Sequence, residues 1–237
     1  MDRETIKKEF INACSSGNLD LTKELTKTYK LTNEDAKSDN NYALRFACYN
    51  GHISIAQWLV ETFKLTVEDA RSADNLIFKI VCGDGHILTA QWLVETFKLT
   101  VEDAKSLDNC AFKQACTKGH LSTAQWLVKT FGLTTEDVKS NDNFILQWTC
   151  SNGHTSTVQW LVETFKLTSE DAKSNNDYAL RWACENGHLL TAQLLLDKFY
   201  TSNDIKLIID NVKVWEKTKN FLKNYQPIGE LTKPVKI

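Results

Sequence analysis

Five cysteine–histidine pairs carry the most obvious potential for chemistry: Cys48/His52, Cys82/His86, Cys116/His120, Cys150/His154 and Cys184/His188. Thiolate and imidazole are both zinc ligands, and histidine is the commonest acid–base group. A structural zinc needs four ligands within ~2.0–2.3 Å of the metal. One pair offers two, and equivalent ligands one packed helix away lie about 8–10 Å distant. A catalytic histidine needs its own nucleophile and orienting partner, and such a site is built once. Five histidines in equivalent places predict instead a repeated hydrogen bond from a turn to neighbouring backbone. Glu68-Asp69, Glu102-Asp103, Glu136-Asp137 and Glu170-Asp171 also recur, each where a helix start would use the charge. The sequence has no glycine-rich phosphate loop, nucleophile elbow or His-Glu-x-x-His. These features predict no catalytic residue, no metal and no cofactor.

The pairs are markers of a period. Gly51, Gly85, Gly119, Gly153 and Gly187 precede the five histidines at steps of 34 residues, and Gly17-Asn18 is a degenerate earlier copy. Cysteine lies three residues before each glycine, from Cys14 to Cys184. Cys110 alone falls elsewhere, at the Tyr42 position, where it reads as a packing substitution.

Each unit must position these residues with helices. Asn41, Asn75, Asn109, Asn143 and Asp177 are predicted N-caps of a short first helix whose apolar face carries Leu44, Ala47 and Cys48. Gly51 ends that helix in the left-handed conformation. A second helix runs through Ile55, Ala56, Trp58, Leu59, Val60 and Phe63. Thr66 and Asp69 then form the two ends of a capping box, predicting a third, one-to-two-turn helix closed by Arg71 near its negative end. A lone unit cannot bury Trp58, Leu59 and Phe63, so neighbours must stack. Trp58, Trp92, Trp126 and Trp160 form a ladder that reads as core, with Glu24 in its place in the first unit and Leu194 in the sixth. At the far end Asp210-Asn211 keeps the register of Asn176-Asp177, so residues 203–225 read as a decayed seventh unit that caps the stack. Residues 226–237, with Pro227 and Pro234, read as a surface tail.

Composition agrees with an intracellular, monomeric protein in a reducing compartment. No apolar run reaches the ~20 residues of a membrane helix, and no signal-peptide core or myristoylation site opens the chain. Seven cysteines without a secretory signal are expected to be free thiols. The formal charge of −2 gives no general attraction to nucleic acid or anionic membrane.

The stretch Ala43-Leu44-Arg45-Phe46-Ala47-Cys48-Tyr49-Asn50-Gly51-His52, followed by Ile55-Ala56-Gln57-Trp58-Leu59-Val60, resembles the ankyrin repeat over residues 5–200. The resemblance implies an all-α, ankyrin-like solenoid of six repeats, at about 7–40, 41–74, 75–108, 109–142, 143–176 and 177–202. It places the cysteine at a small, buried position of the first helix and implies a protein partner on the concave face. No unit has the family's Thr-Pro start, and Arg45, Lys79, Lys113, Gln147 and Arg181 stand where the family prefers histidine. Phe63-Lys64-Leu65-Thr66 leads toward the predicted third helix instead of a projecting β-hairpin. The lysine- and asparagine-rich divergence is similar to ankyrin arrays of large DNA viruses.

The units differ from one another mainly on the first helix and the turn after it. Phe46, Trp148 and Trp182 are candidate anchors for a partner protein, with Tyr49, Lys118 and Glu185 tuning specificity. The same three rings also suit half-buried packing between adjacent first helices. The row Arg45, Lys79, Lys113 and Arg181 fits an acidic ligand such as nucleic acid, local pairing with Asp74 and Asp108, or simple solvation. An adaptor recruiting other machinery through residues 203–225 is the alternative function.

Overall fold

A computed structural model describes residues 2–210 and 216–225. Among them there are sixteen helices and no strand. The helices are α1 (Arg3–Ser15), α2 (Leu19–Tyr29), α3 (Asn33–Ala36), α4 (Ser38–Tyr49), α5 (Ile53–Phe63), α6 (Val67–Ala70), α7 (Ser72–Gly83) and α8 (Ile87–Phe97). They continue as α9 (Val101–Thr117), α10 (Leu121–Phe131), α11 (Thr135–Ser151), α12 (Thr155–Phe165), α13 (Ser169–Glu185), α14 (Leu189–Phe199), α15 (Ser202–Asp210) and α16 (Glu216–Asn224). The chain forms two compact units: Met1–Ala115 with Ser122–Gly132, and Cys116–Leu121 with Leu133–Ile237. Within each, first helices pack on first helices, as α4 does on α7 and α11 on α13.

The predicted third helix forms, and its cap has a second use. Thr32 and Thr168 each close a complete capping box with Asp35 and Asp171. The same aspartates reach across repeats: Lys37 pairs with Asp69 at 2.8 Å, Arg71 with Asp103 at 2.8 Å, Lys139 with Asp171 at 2.7 Å and Arg3 with Asp35. Arg71 is therefore a bidentate partner for the next repeat's carboxylate, beyond its expected place at a helix end. Burial alone would raise the Asp171 carboxyl, but the Lys139 ammonium and the Thr168 N–H outweigh it and hold the group below the ordinary carboxylate range.

Between the third helix and the next first helix, the backbone turns left-handed for three residues in succession. At Leu107, Asp108 and Asn109 φ is 49°, 58° and 58°, after an extended Ser106. Asp39-Asn40-Asn41, Ala73-Asp74-Asn75, Asn141-Asp142-Asn143 and Asn175-Asn176-Asp177 repeat the turn. This conformation costs an ordinary L-residue roughly 1–2 kcal/mol, and Asn and Asp tolerate it best. The predicted asparagine N-caps are thus corrected. Asn41 is itself left-handed, and its amide donates to Asp69 O and Ser72 Oγ near the end of its own repeat, both at 3.3 Å. The preceding serines close the third helix: Ser38 and Ser174 each donate to the carbonyl three residues back, at 2.8 Å.

The core is aliphatic and small. Leu44, Ala47 and Cys48 of α4 and Ile55, Ala56 and Leu59 of α5 are essentially inaccessible. The tryptophan ladder is a second correction, because Trp58, Trp92, Trp126 and Trp160 are only half-buried. Each ring packs its edge on the phenylalanine five residues on, as Trp58 does on Phe63 at 5.8 Å and Trp160 on Phe165 at 5.7 Å. The phenylalanines and leucines supply the seal, so the outer indole face stays in water.

The expected register fails after α14. Lys64, Lys98 and Lys166 end their second helices in the left-handed conformation, whereas Tyr200 is extended at φ −115°. The next cap pairs Thr201 with Asp204, one residue early relative to Thr168 and Asp171. Thr218, near the start of α16, meets Glu185 at the end of α13, while Tyr225 Oη donates to Asp197 near the end of α14 at 2.5 Å. Hence α16 runs antiparallel to α13, not along it as a seventh first helix would. Asn211, Val212, Val214, Trp215 and the tail 226–237 lie outside the described residues.

Gly51 and its equivalents are left-handed as expected, with φ from 74° to 79° at Gly51, Gly85, Gly119, Gly153 and Gly187. A Cβ on Gly153 would also come within 2.3 Å of His188 Nδ1, whereas one on Gly187 meets nothing within 4 Å. Gly187→Ala should cost about 1 kcal/mol from backbone strain alone, and Gly153→Ala clearly more, read as the difference in urea midpoints.

Asp171→Asn should lower stability by about 2 kcal/mol at pH 7. Because the folded carboxyl titrates below its unfolded value of about 3.9, its contribution is complete above that pH and is lost as pH falls through the folded value. The gap between wild type and variant in denaturant titrations should therefore close as pH drops below about 4.

Candidate partner-binding face

The first helices bury one face and leave the other lined with rings. On α11, Ile145, Leu146, Thr149 and Cys150 point into the core, which turns Phe144 and Trp148 outward at i, i+4 spacing. On α13, Ala179, Leu180, Ala183 and Cys184 do the same for Tyr178 and Trp182. The four rings form one row in the second unit. Centroid separations are 5.7 Å from Phe144 to Trp148, 6.4 Å from Trp148 to Tyr178 and 5.7 Å from Tyr178 to Trp182. Trp148 is 40% exposed, while Trp182 is half-buried.

The first unit has its own cluster. Phe46 is half-buried, stacks on Tyr42 at 4.2 Å and meets Tyr49 edge-on at 5.9 Å. Tyr49 is 44% exposed. The Arg45 guanidinium lies 5.2 Å from the Tyr42 ring centre. An open cleft of about 540 Å³ beside this cluster is lined by Lys8, Ile11, Asn12, Asp39 and Tyr42. Tyr42, Phe144 and Tyr178 escaped the sequence reading, although their position four residues before each candidate anchor signals a shared helix face.

Of the other candidates, Lys118 is exposed on the turn that follows α9. Glu185 is already engaged: its carboxylate accepts from Thr218 N at 3.2 Å and Thr218 Oγ1 at 3.1 Å, capping α16. That places its carboxylate in the seam between α13 and α16.

The basic row is not an open stripe either. Arg45 Nη1 donates to Asn40 O at 3.5 Å and Arg181 Nη1 to Asn176 O at 3.3 Å. Gln147 Nε2 does the same to Asp142 O at 2.6 Å. Lys113 pairs with Asp108, and Lys79 is buried. The position props the left-handed turn five residues upstream, which explains why Gln147 can occupy it.

His52 and His154 make the expected turn-to-backbone bond. His52 Nε2 donates to Ser15 O of the preceding repeat at 3.0 Å, and His154 to the Thr117 carbonyl. Burial of His154 lowers its basicity, against the raising effect of that bond. The cysteines at the repeat position are buried, and desolvation raises the Cys14 and Cys184 thiols to about 12 and moves Cys48, Cys82, Cys116 and Cys150 upward. Among the described residues no three His, Cys, Asp or Glu side chains gather as a metal site, and no helix is long and apolar enough to cross a membrane.

A family model described as ankyrin repeats (three copies) matches residues 112–207, and one described as ankyrin repeats (many copies) matches residues 10–60. The chain contains ankyrin repeats. Its fold is similar to that of the human ASB11 ankyrin repeat domain, with a TM-score of 0.59 at 18% identity over 90% of this chain and 96% of that one. An ankyrin repeat family protein from Legionella pneumophila matches more loosely, with a TM-score of 0.47 at 13% identity over 96% of this chain and 74% of that one. No curated protein matches the sequence. Among ankyrin repeats this chain departs in its hairpin region, where third helices and left-handed turns stand.

Reactivity should separate the thiols. Cys110 is the one cysteine that is not buried, at the Tyr42 position rather than the core position. Ellman's reagent on native protein should modify Cys110 within minutes and the other six only on unfolding, with peptide mass mapping as the check.

Proposed function

We propose that the chain is a non-enzymatic protein-interaction module whose partner docks on the first-helix face, the concave face of ankyrin-like stacks. The observation that carries this reading is the row Phe144, Trp148, Tyr178 and Trp182, with rings at 5.7–6.4 Å on a helix face whose opposite side is fully packed. A row of partly exposed aromatic side chains on a rigid helix pair is costly in water, and it has the composition of binding hot spots. Phe46, Trp148 and Trp182 are the proposed anchors, with Tyr49 and Lys118 at their margins. Ankyrin repeats in general mediate protein–protein interaction, and the turn-propping role of Arg45, Gln147 and Arg181 weighs against an electrostatic nucleic-acid function.

The test is affinity capture with mass spectrometry. Wild type is compared with Phe46→Ala/Trp148→Ala/Trp182→Ala and with Trp160→Ala, which truncates a half-buried ring on a second helix. Circular dichroism confirms that all remain helical. The triple variant should lose a protein that wild type and Trp160→Ala both retain, with affinity reduced at least 10-fold per hot-spot ring, since such truncations cost about 2 kcal/mol or more. Equal capture by all three would exclude these anchors.

A further inference from the structure

We propose that Asn186 is a site of spontaneous deamidation, a modification that the fold withholds from its two equivalents, Asn50 and Asn152. The proposal is independent of what docks on the first-helix face.

The chemistry is local. Where asparagine precedes glycine, the glycine's backbone nitrogen gives up its proton and attacks the asparagine Cγ. The new N–C bond closes a cyclic imide. The bond from Cγ to the side-chain nitrogen breaks, and that nitrogen leaves as ammonia with the proton. Water then opens the imide at either carbonyl and leaves aspartate or isoaspartate. Glycine permits this best, because it has no Cβ to obstruct the approach. The sequence has three such pairs, Asn50-Gly51, Asn152-Gly153 and Asn186-Gly187, and each is followed by histidine. Their intrinsic reactivity is therefore closely matched, and a ranking among them in the native protein comes from the fold.

The three turns share their restraints. Asn50, Asn152 and Asn186 each end a first helix, with ψ of 7°, 0° and −1°. Each following glycine N–H donates to the cysteine carbonyl three residues back, at 3.0–3.1 Å. Each side-chain amide reaches the preceding repeat: Asn50 Nδ2 donates to Ser15 O at 3.0 Å, Asn152 Nδ2 to Thr117 O at 2.7 Å and Asn186 Nδ2 to Ser151 O at 2.7 Å. Nucleophile and leaving group are thus both bonded, and they react only when the turn opens. The rate follows the ease of that local opening.

Cover is what differs. The histidine of the next repeat lies against the first two glycines. A Cβ on Gly51 would sit 3.5 Å from His86 Nδ1, and one on Gly153 would collide with His188. Around Gly187 such a Cβ meets nothing within 4 Å, and Gly187 is exposed where Gly51 and Gly153 are half-buried. One period after His188 stands Leu222, buried on the reversed α16, so this turn has no histidine over it.

Conversion also changes what the residue does. The Asn186 amide donates to Ser151 Oγ as well, at 3.1 Å, and so ties the end of α13 to the end of α11. A carboxylate in its place cannot donate, and it sets a negative charge against the Ser151 carbonyl oxygen. The link between the two helices is lost.

The experiment ages the full chain at physiological temperature and slightly alkaline pH, with a parallel series unfolded in guanidinium chloride. Timed samples are peptide-mapped by mass spectrometry, and chromatography separates aspartate from isoaspartate products. Each native rate is divided by the unfolded rate of the same site. On that scale Asn186 should convert at least ~5-fold faster than Asn50 and Asn152. His86→Ala, which uncovers Gly51, should raise the Asn50 rate and leave the Asn186 rate unchanged. Asn186→Asp, the product made directly, should lower the urea midpoint. Circular dichroism confirms that both variants remain helical. Equal scaled rates at the three sites overturn the proposal, as does native Asn186 that stays intact while the unfolded series converts. An Asn50 rate unmoved in folded His86→Ala overturns the role of cover, and a wild-type midpoint for Asn186→Asp overturns the loss of the link.

Discussion

Within each compact unit, one carboxylate ties a repeat to the one before it. Asp69, Asp103 and Asp171 each accept the backbone N–H of the threonine three residues before it, and each also accepts the basic side chain of the preceding repeat. A surface ion pair contributes little. These carboxylates are different, because their side chains are only 7–11% exposed and satisfy a helix end at the same time. Removing either role leaves a buried charge or an orphaned N–H, and that penalty exceeds the worth of the pair itself. A single side chain thus fixes both the local helix start and the docking of its neighbour.

The left-handed turns follow from that anchoring. With the third helix pinned, the chain must reverse over four residues before the next first helix, and three residues pay for it in backbone energy. Asn and Asp hold most of these sites, and the side chain at the Arg45 position supports the strained carbonyls from below. The first helix is thereby held at both ends, by this prop at its start and by the glycine–histidine contact after its end. Rings mounted on it are presented by a stiff support. Preorganisation of this kind reduces the ordering cost of binding.

Much of this was legible in the sequence, and the failures have physical causes. The period shows only in the comparison of copies, while the capping box and the glycine conformation express local rules that one repeat states by itself. Asn41 was misread because an N-cap and a left-handed asparagine have the same composition, and only tertiary contacts distinguish them. The tryptophan ladder looked like core because hydrophobicity reports what prefers burial, not whether the neighbouring repeat reaches far enough to cover it. Arg71 reads as a helix-end charge, since nothing in a repeat's own sequence says that its partner lies in the next copy. Of the candidate face, Trp148 and Trp182 were visible from comparing repeats. Phe144 and Tyr178 stand at a position that holds Tyr42, Leu76 and Cys110 in the earlier units, so no aromatic pattern along the array marks it.

The reversed direction of α16 bears on how such an array can change in length. A new unit added after α14 would need its first helix parallel to α13 and seated where α16 now lies. Addition of a unit directly after α14 is therefore blocked as long as that helix stays in place. The segment Gln-Trp-Leu-Val-Glu-Thr-Phe-Lys-Leu-Thr stands identically at 57–66, 91–100 and 159–168, as expected of modules copied within the array. Selection is then free to diversify the outward rings of each inserted copy without displacing α16.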